Sequence, residues 1–270
     1  MTVPTSGVAL QTIDRGTGPT VILIHGLGGQ GADWTPQIDH LASRFRVLAP
    51  DLRGHGQSPK PAGPYAMRDL AADVAALIRR VGGGPVHVVG LSLGGMVAFQ
   101  LAVDDPALVR TLTIVNSGPE VVPRNLTERF ALSSRVFVVK WFGLERMGRI
   151  LAPRLFPGPD RASDRDRFLT QFLTNDRDAY LASLRAIIGW RVTPRIGRIT
   201  APTLVVASEL DYTPPERKEE YVRLMPNAKL VVVPDAHHAP PMEEPETFNA
   251  VLAEFLDVHG NQPGTGGVAP

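Results

Sequence analysis

Cysteine is absent from the 270 residues. Disulfides, thiolate metal sites and a cysteine nucleophile are therefore excluded together, and the composition fits a reducing compartment. Long apolar runs are missing too. A membrane-spanning helix needs roughly 18 or more apolar residues, whereas the longest runs, such as Val21–Ile24 and Leu230–Val233, have strand length. The opening MTVPTSGVALQTIDRG lacks a basic segment followed by an apolar one, so no secretory leader and no membrane partner are expected. The expected location is cytoplasmic. There is no His-Glu-x-x-His pattern and no internal repeat. Neither Gly-x-x-x-x-Gly-Lys-Ser/Thr nor a helix-opening Gly-x-Gly-x-x-Gly occurs, which excludes the common phosphate-binding loops.

What is present is ordinary for a globular protein: 43% hydrophobic and 20% charged residues. The net charge of +1 conceals an asymmetry. Residues 124–198 carry 15 Lys/Arg against 7 Asp/Glu, and the remainder carries 13 against 20. The basic stretch is paired with an apolar face and contains no nucleic-acid-binding module, so no nucleic acid partner is expected. The same stretch can be read as the solvated outer face of amphipathic helices or as a wall that attracts anions.

Short, nearly all-apolar runs alternate with helical patterns, as in a parallel sheet covered on both faces. Val21–Ile24, Arg46–Ala49, Val86–Val89, Leu112–Val115, Leu204–Ala207 and Leu230–Val233 read as strands, with a possible antiparallel edge strand within residues 8–15. Helices are expected near Trp34–Ser43, Met67–Val81, Leu93–Val103, Pro215–Leu224 and Pro245–Val258. The alternation breaks once, between Val115 and Leu204, where Arg, Leu, Phe and Trp recur at helical spacing. The expected architecture is α/β: a mostly parallel central sheet with helices on both faces, built from residues 1–119 and 197–258. A helical cap occupies 120–196, and 259–270 form a disordered Gly/Pro-rich tail.

The most informative segment is Pro85 to Ala102, where a buried strand runs into Gly90-Leu91-Ser92-Leu93-Gly94 and a helix follows at once. A serine at such a junction is held clear of the sheet in a strained turn, and glycines on either side avoid collisions with the neighbouring strand and helix. Ser92 is the candidate nucleophile; the competing reading is a serine that merely caps the helix. The strand Val21–Ile24 opens into His25-Gly26-Leu27-Gly28-Gly29. Backbone N–H groups of Leu27 and Leu93 are candidates for holding a developing oxyanion, and His25 is expected to hydrogen-bond this loop into shape. A base must follow late in the chain, and His237 and His238 lie between the strand Leu230–Val233 and the final helix. The acid is expected at Asp211, just past Leu204–Ala207, with Glu209 and Glu120 as alternatives. Trp34, Trp141 and Trp190 are candidates for lining a substrate pocket.

These segments, together with the loop Asp51–Ser58, resemble the α/β-hydrolase fold family over nearly all of residues 8–258. In similar proteins the catalytic histidine precedes x-x-x-x-Glu-x-Pro, and counting back from Glu243 and Pro245 selects His238. His237 stands where the family usually has glycine. The cap and Gly-Leu-Ser-Leu-Gly-Gly-Met resemble 3-oxoadipate enol-lactonases and small carboxylesterases, while serine at position 92 disfavours haloalkane dehalogenases. The resemblance implies a carboxylic ester or lactone hydrolase with a Ser92, Asp211 and His238 triad, a small-molecule substrate and no cofactor or metal. Alternatives on the same framework are a carbon–carbon bond hydrolase of ring-fission products, a cofactor-free perhydrolase and a non-enzymatic ligand receptor.

Overall fold

The four residues Val21 to Ile24 are wholly buried, yet successive side chains enter two different cores. Ile22 and Ile24 face one cluster with Leu48, Val88, Leu112 and Val205; Val21 and Leu23 face another with Val47, Val89, Val115 and Val206. A strand with period-2 side chains can bury both sets only inside a layer covered on its two faces. The structure, a computed structural model, describes residues 7–82 and 84–260.

Seven strands form that layer: β1 (Thr12–Arg15), β2 (Thr20–Ile24), β3 (Arg46–Pro50), β4 (Val86–Leu91), β5 (Val109–Val115), β6 (Thr203–Ser208) and β7 (Ala228–Val233). Their spatial order is β1-β3-β2-β4-β5-β6-β7. Only β1 runs antiparallel, pairing Thr12 with Pro50 and Arg15 with Val47. The helices α1 (Thr35–Leu41), α2 (Met67–Val81) and α3 (Leu93–Asp104) connect the first strands, and α7 (Pro215–Val222) joins β6 to β7. A short α8 (Pro240–Glu243) precedes α9 (Pro245–Gly260). Residues of α2 and α3 pack on one face, and those of α1 and α9 pack on the other.

Between β5 and β6 the α-helices α4 (Leu126–Leu155), α5 (Ala162–Phe172) and α6 (Arg177–Ile187) replace strands, apart from one isolated bridge between Glu120 and Arg191. Gly143 breaks α4 into two segments, with φ 76° and ψ −177°. Val139, Leu144, Met147, Phe172, Tyr180, Leu181 and Leu184 form a separate small core, against which Leu27 of the β2 loop packs. The helical insertion therefore rests directly on the C-terminal end of the sheet. The final helix continues through His259 to Gly260, which corrects the expectation of a tail beginning at 259. Residues 261–270 of that expected tail lie outside the described residues, as do 1–6.

Three histidines are fully buried. His87 stands in β4 with Nδ1 2.8 Å from Thr111 Oγ1, and the His25 and His55 rings lie 5.1 Å apart. Burial is the largest cause holding their pKa values down, to about 4 for His25, about 3 for His55 and about 4 for His87. Each lies below the ordinary value near 6.5, so the unfolded chain binds protons that the folded chain excludes. This contribution to stability is full above pH 6.5 and is lost as the pH falls toward the folded values. Urea unfolding between pH 7 and pH 4 is expected to show a falling midpoint with net proton uptake on unfolding. A midpoint that stays flat or rises as the pH falls would contradict the buried neutral state.

Candidate active site

Ser92 follows β4 directly and has φ 53° and ψ −113°, a region that a serine occupies only under strain. The strain is local and forced. A Cβ at Gly90 would stand 2.3 Å from the Gly94 carbonyl oxygen, and one at Gly94 would stand 2.1 Å from the Ile24 carbonyl oxygen. Two bonds hold the turn: the Ser92 N–H donates to Val115 O at 2.9 Å, and Ser117 Oγ–H donates to Ser92 O at 2.7 Å. Leu93 begins α3, so its N–H has no acceptor within the helix.

The glycine loop after β2 runs past this turn, with the position of a Gly26 Cβ 3.5 Å from Ser92 Cβ. Gly29 N–H donates to Gly26 O at 3.0 Å, closing the turn that carries Leu27. His25 anchors it as expected. Its Nδ1 bonds Gly26 O at 2.7 Å, and its Nε2 accepts the Leu52 N–H at 3.0 Å. The neighbouring loop is a second anchor: Asp51 accepts from Gly31 N at 2.7 Å and from Gln57 N at 2.8 Å.

Beyond the ends of β6 and β7, the structure brings Asp211 and His238 together, with Nδ1 and Oδ1 2.8 Å apart. Asp211 also accepts from Lys218 Nζ at 2.6 Å and Thr213 Oγ1 at 2.6 Å. Burial pushes the carboxyl upward, but the His238 bond and the charges of His238 and Lys218 outweigh it and hold its pKa below the ordinary range. Burial lowers the Lys218 ammonium, partly countered by Asp211. His237 is engaged elsewhere: its N–H donates to Glu243 Oε2 at 2.9 Å, and Ala239 N–H donates to Glu243 Oε1 at 2.6 Å. That double bond is the physical basis of the spacing from His238 to Glu243. Glu209 takes the Asp235 N–H, and Glu120 pairs with Arg191 at 2.9 Å, so neither alternative acid reaches His238.

Three positioning groups carry no signal that the motifs expose. Asn116 Nδ2 donates to the carbonyls of His237 and His238 at 3.0 Å each, and Asn116 Oδ1 accepts from Ser208 N at 2.9 Å. Lys218 is a charged residue on the face of α7 that also buries Tyr221, and that placement is its one legible sign. Tyr212 follows the acid directly. Its hydroxyl lies 2.5 Å from His238 Nε2 with Ser92 as a neighbour, and although the residue is 61% exposed, its ring lies over the imidazole with centroids 4.1 Å apart. The Tyr212 hydroxyl thus occupies His238 Nε2 on the side of Ser92, and no direct bond joins Ser92 to His238 among the described residues.

The tryptophans expected to line a pocket have other occupations. Trp34 is buried in the core against Phe248, with centroids 6.1 Å apart. Trp190 donates to Gln100 Oε1 at 2.7 Å and packs on the sheet-side core. Trp141 is 65% exposed on α4, with Lys140 Nζ 5.1 Å from its ring. No hydrogen bond or ring contact joins any of the three to Ser92, Asp211 or His238 among the described residues; a large aromatic ring serves packing as readily as ligand contact.

The sequence pattern of the family described as alpha/beta hydrolase fold matches residues 19–245. The chain belongs to the α/β-hydrolase fold family. It is a hydrolase by that membership and by its relatives. It is 32% identical over 252 residues to "Putative carbamate hydrolase RutD" of Serratia proteamaculans, covering 90% of this chain and 92% of that protein. A thermophilic esterase from Thermogutta terrifontis, solved with malate bound, superposes with a TM-score of 0.84 at 30% identity, covering 93% of this chain and 94% of the other. The enol-lactonase from Burkholderia xenovorans LB400 superposes with a TM-score of 0.85 at 25% identity, covering 92% and 96%.

The Lys218–Asp211 contact is a buried ion pair, with Lys218 2% exposed. Removing one member strands the other in a poorly solvated site, at a cost of about 3–5 kcal/mol. Lys218→Met is expected to lose stability of that order in denaturant unfolding. Because the partners are coupled, adding Asp211→Asn should cost less than the sum of the two single changes. Strict additivity would contradict the pair.

Proposed function

We propose that this hydrolase cleaves a carboxylic ester or lactone through an acyl-serine intermediate, with Ser92 as nucleophile, His238 as base and Asp211 as the acid that orients it. The observation that carries the reading is the combination at one place of the strained Ser92 turn and a His238 ring fixed through Nδ1 to a buried carboxylate. With Nδ1–H donated to Asp211, the lone pair of Nε2 is the basic site, and a proton arriving there is stabilised by the carboxylate. Ser92 Oγ attacks the carbonyl carbon as its proton passes to Nε2. The resulting oxyanion is received by the N–H groups of Leu27 and Leu93, each worth a few kcal/mol of barrier. His238 then protonates the leaving oxygen. In the second half it takes a proton from water, which attacks the acyl carbon and releases the acid with Ser92 restored.

In this structure the Tyr212 hydroxyl stands on Nε2, so substrate must displace it before Ser92 and His238 can bond directly. Residues 120–196 act as the cap, and the excess of basic groups within 124–198 favours an anionic acyl substrate through local attraction. The similarity to esterases and to an enol-lactonase supports ester or lactone cleavage. A second reading, carbamate cleavage by the same attack at an acyl carbon bearing nitrogen, is favoured by the similarity to relatives named as carbamate hydrolases.

An activated p-nitrophenyl ester should give a burst close to one product per protein, followed by a slower steady rate. Ser92→Ala should abolish the burst and lower the steady rate by about a thousandfold or more. A panel of esters, lactones, carbamates and dienoic ring-fission acids then ranks the substrate classes. A Ser92→Ala protein that keeps the original rate would remove the serine from the reaction.

A further inference from the structure

The basic residues of the helical insertion are mostly accounted for at the surface. Arg149 pairs with Glu145 at 2.8 Å, Arg167 with Asp164 at 3.1 Å, and Arg191 with Glu120 at 2.9 Å. Arg135 differs. It sits one helical turn before the buried Val139, so its side chain shares the inward face of α4. No carboxylate of the described residues pairs with it, and its Nε–H is buried without an acceptor.

A second donor without an acceptor lies beside it. Tyr180 of α6 is 1% exposed; its hydroxyl makes no hydrogen bond of full geometry, and the Arg135 guanidinium is close enough to act on it as a hydrogen-bonding neighbour. The Arg135 guanidinium neighbours the Tyr180 phenol, and Val139, one turn further along α4, packs in the same small core as Tyr180; its charge also reaches the Tyr212 phenol. The position is fixed from below as well. Tyr180 Cε2 stands 3.1 Å from where a Gly28 Cβ would be, and Leu27 packs against the same cluster as Tyr180. The two donors therefore lie over the glycine loop, on the side where Tyr212 reaches Ser92.

Buried polar groups are almost always satisfied, and the Arg135 Nε–H is not. A guanidinium edge beside a phenol, with no carboxylate of the described residues to receive them, suits a planar two-oxygen anion. We infer that Arg135 and Tyr180 form a subsite for a carboxylate carried on the acyl portion of the substrate. The inference rests on the proposed attack by Ser92, and it replaces diffuse attraction by the cap with two named donors.

The test is a matched pair, p-nitrophenyl hydrogen glutarate against p-nitrophenyl pentanoate, with the ratio of their kcat/KM values as the readout. The intact protein is expected to prefer the anionic ester. Arg135→Gln should cut that preference by about tenfold or more, and Tyr180→Phe by roughly threefold. Arg149→Gln, on the solvent side of the cap, should keep it. Free glutarate should inhibit pentanoate ester hydrolysis competitively and should bind folded Ser92→Ala protein by calorimetry. No preference in the intact protein, a preference that survives Arg135→Gln, or an equal loss in Arg149→Gln would overturn the subsite. Should Arg135→Gln not fold, the Tyr180→Phe ratio and the glutarate binding decide the matter. If neither ester is cleaved, or Ser92→Ala cleaves both, the Ser92 reading fails while glutarate calorimetry still reports on the subsite.

Discussion

The backbone at Ser92 turns from strand to helix within one residue, and everything functional is arranged around keeping that turn closed. A non-glycine residue at φ 53° and ψ −113° costs on the order of 1–3 kcal/mol. The Ser92 N–H bond to Val115 O and the Ser117 bond to Ser92 O each return about 1 kcal/mol. The remaining support is steric: α3 lies so close to β2 and β4 that only glycine fits at 90 and 94. Tyr221 of α7, which packs edge-on against Phe99 of α3, bonds Ser117 O at 2.9 Å, so the support extends to α7 on the same face of the sheet.

A second constraint holds the histidine. His238 lies on a loop, and loops are poor supports unless something fixes them. Here three groups from different elements do so. Asn116, at the end of β5, bonds the carbonyls of His237 and His238, and its own φ of 42° is part of that reach. Glu243 draws the backbone of His237 and Ala239 toward α8. Asp211, itself bound by Lys218 and Thr213, fixes the ring. The sheet supplies the common frame, since β5, β6 and β7 are adjacent strands.

Features whose cause is local were legible in the sequence. The strand, the serine and the flanking glycines are contiguous, so their steric logic could be read without knowing what packs on them. The choice of His238 over His237 followed from a spacing whose cause is the pair of bonds from Glu243. Features created by distant packing were not legible. Nothing near Lys218 announces that it meets Asp211, and Arg135 looks like any of the other cap arginines until its Nε is found buried. Trp34, Trp141 and Trp190 misled for the converse reason, since their bulk was spent on the core, on solvent and on a strut to Gln100.

Tyr212 carries a consequence for the resting protein. A lone pair on an imidazole nitrogen can accept one strong hydrogen bond at a time, and at Nε2 the phenol already holds that place. While it does, the serine hydroxyl has no base and is chemically an ordinary alcohol. On the proposed mechanism, reactivity therefore belongs to the occupied protein alone: whatever fills the cleft both supplies the carbonyl and, by pushing the phenol aside, frees the histidine for the oxygen that attacks it.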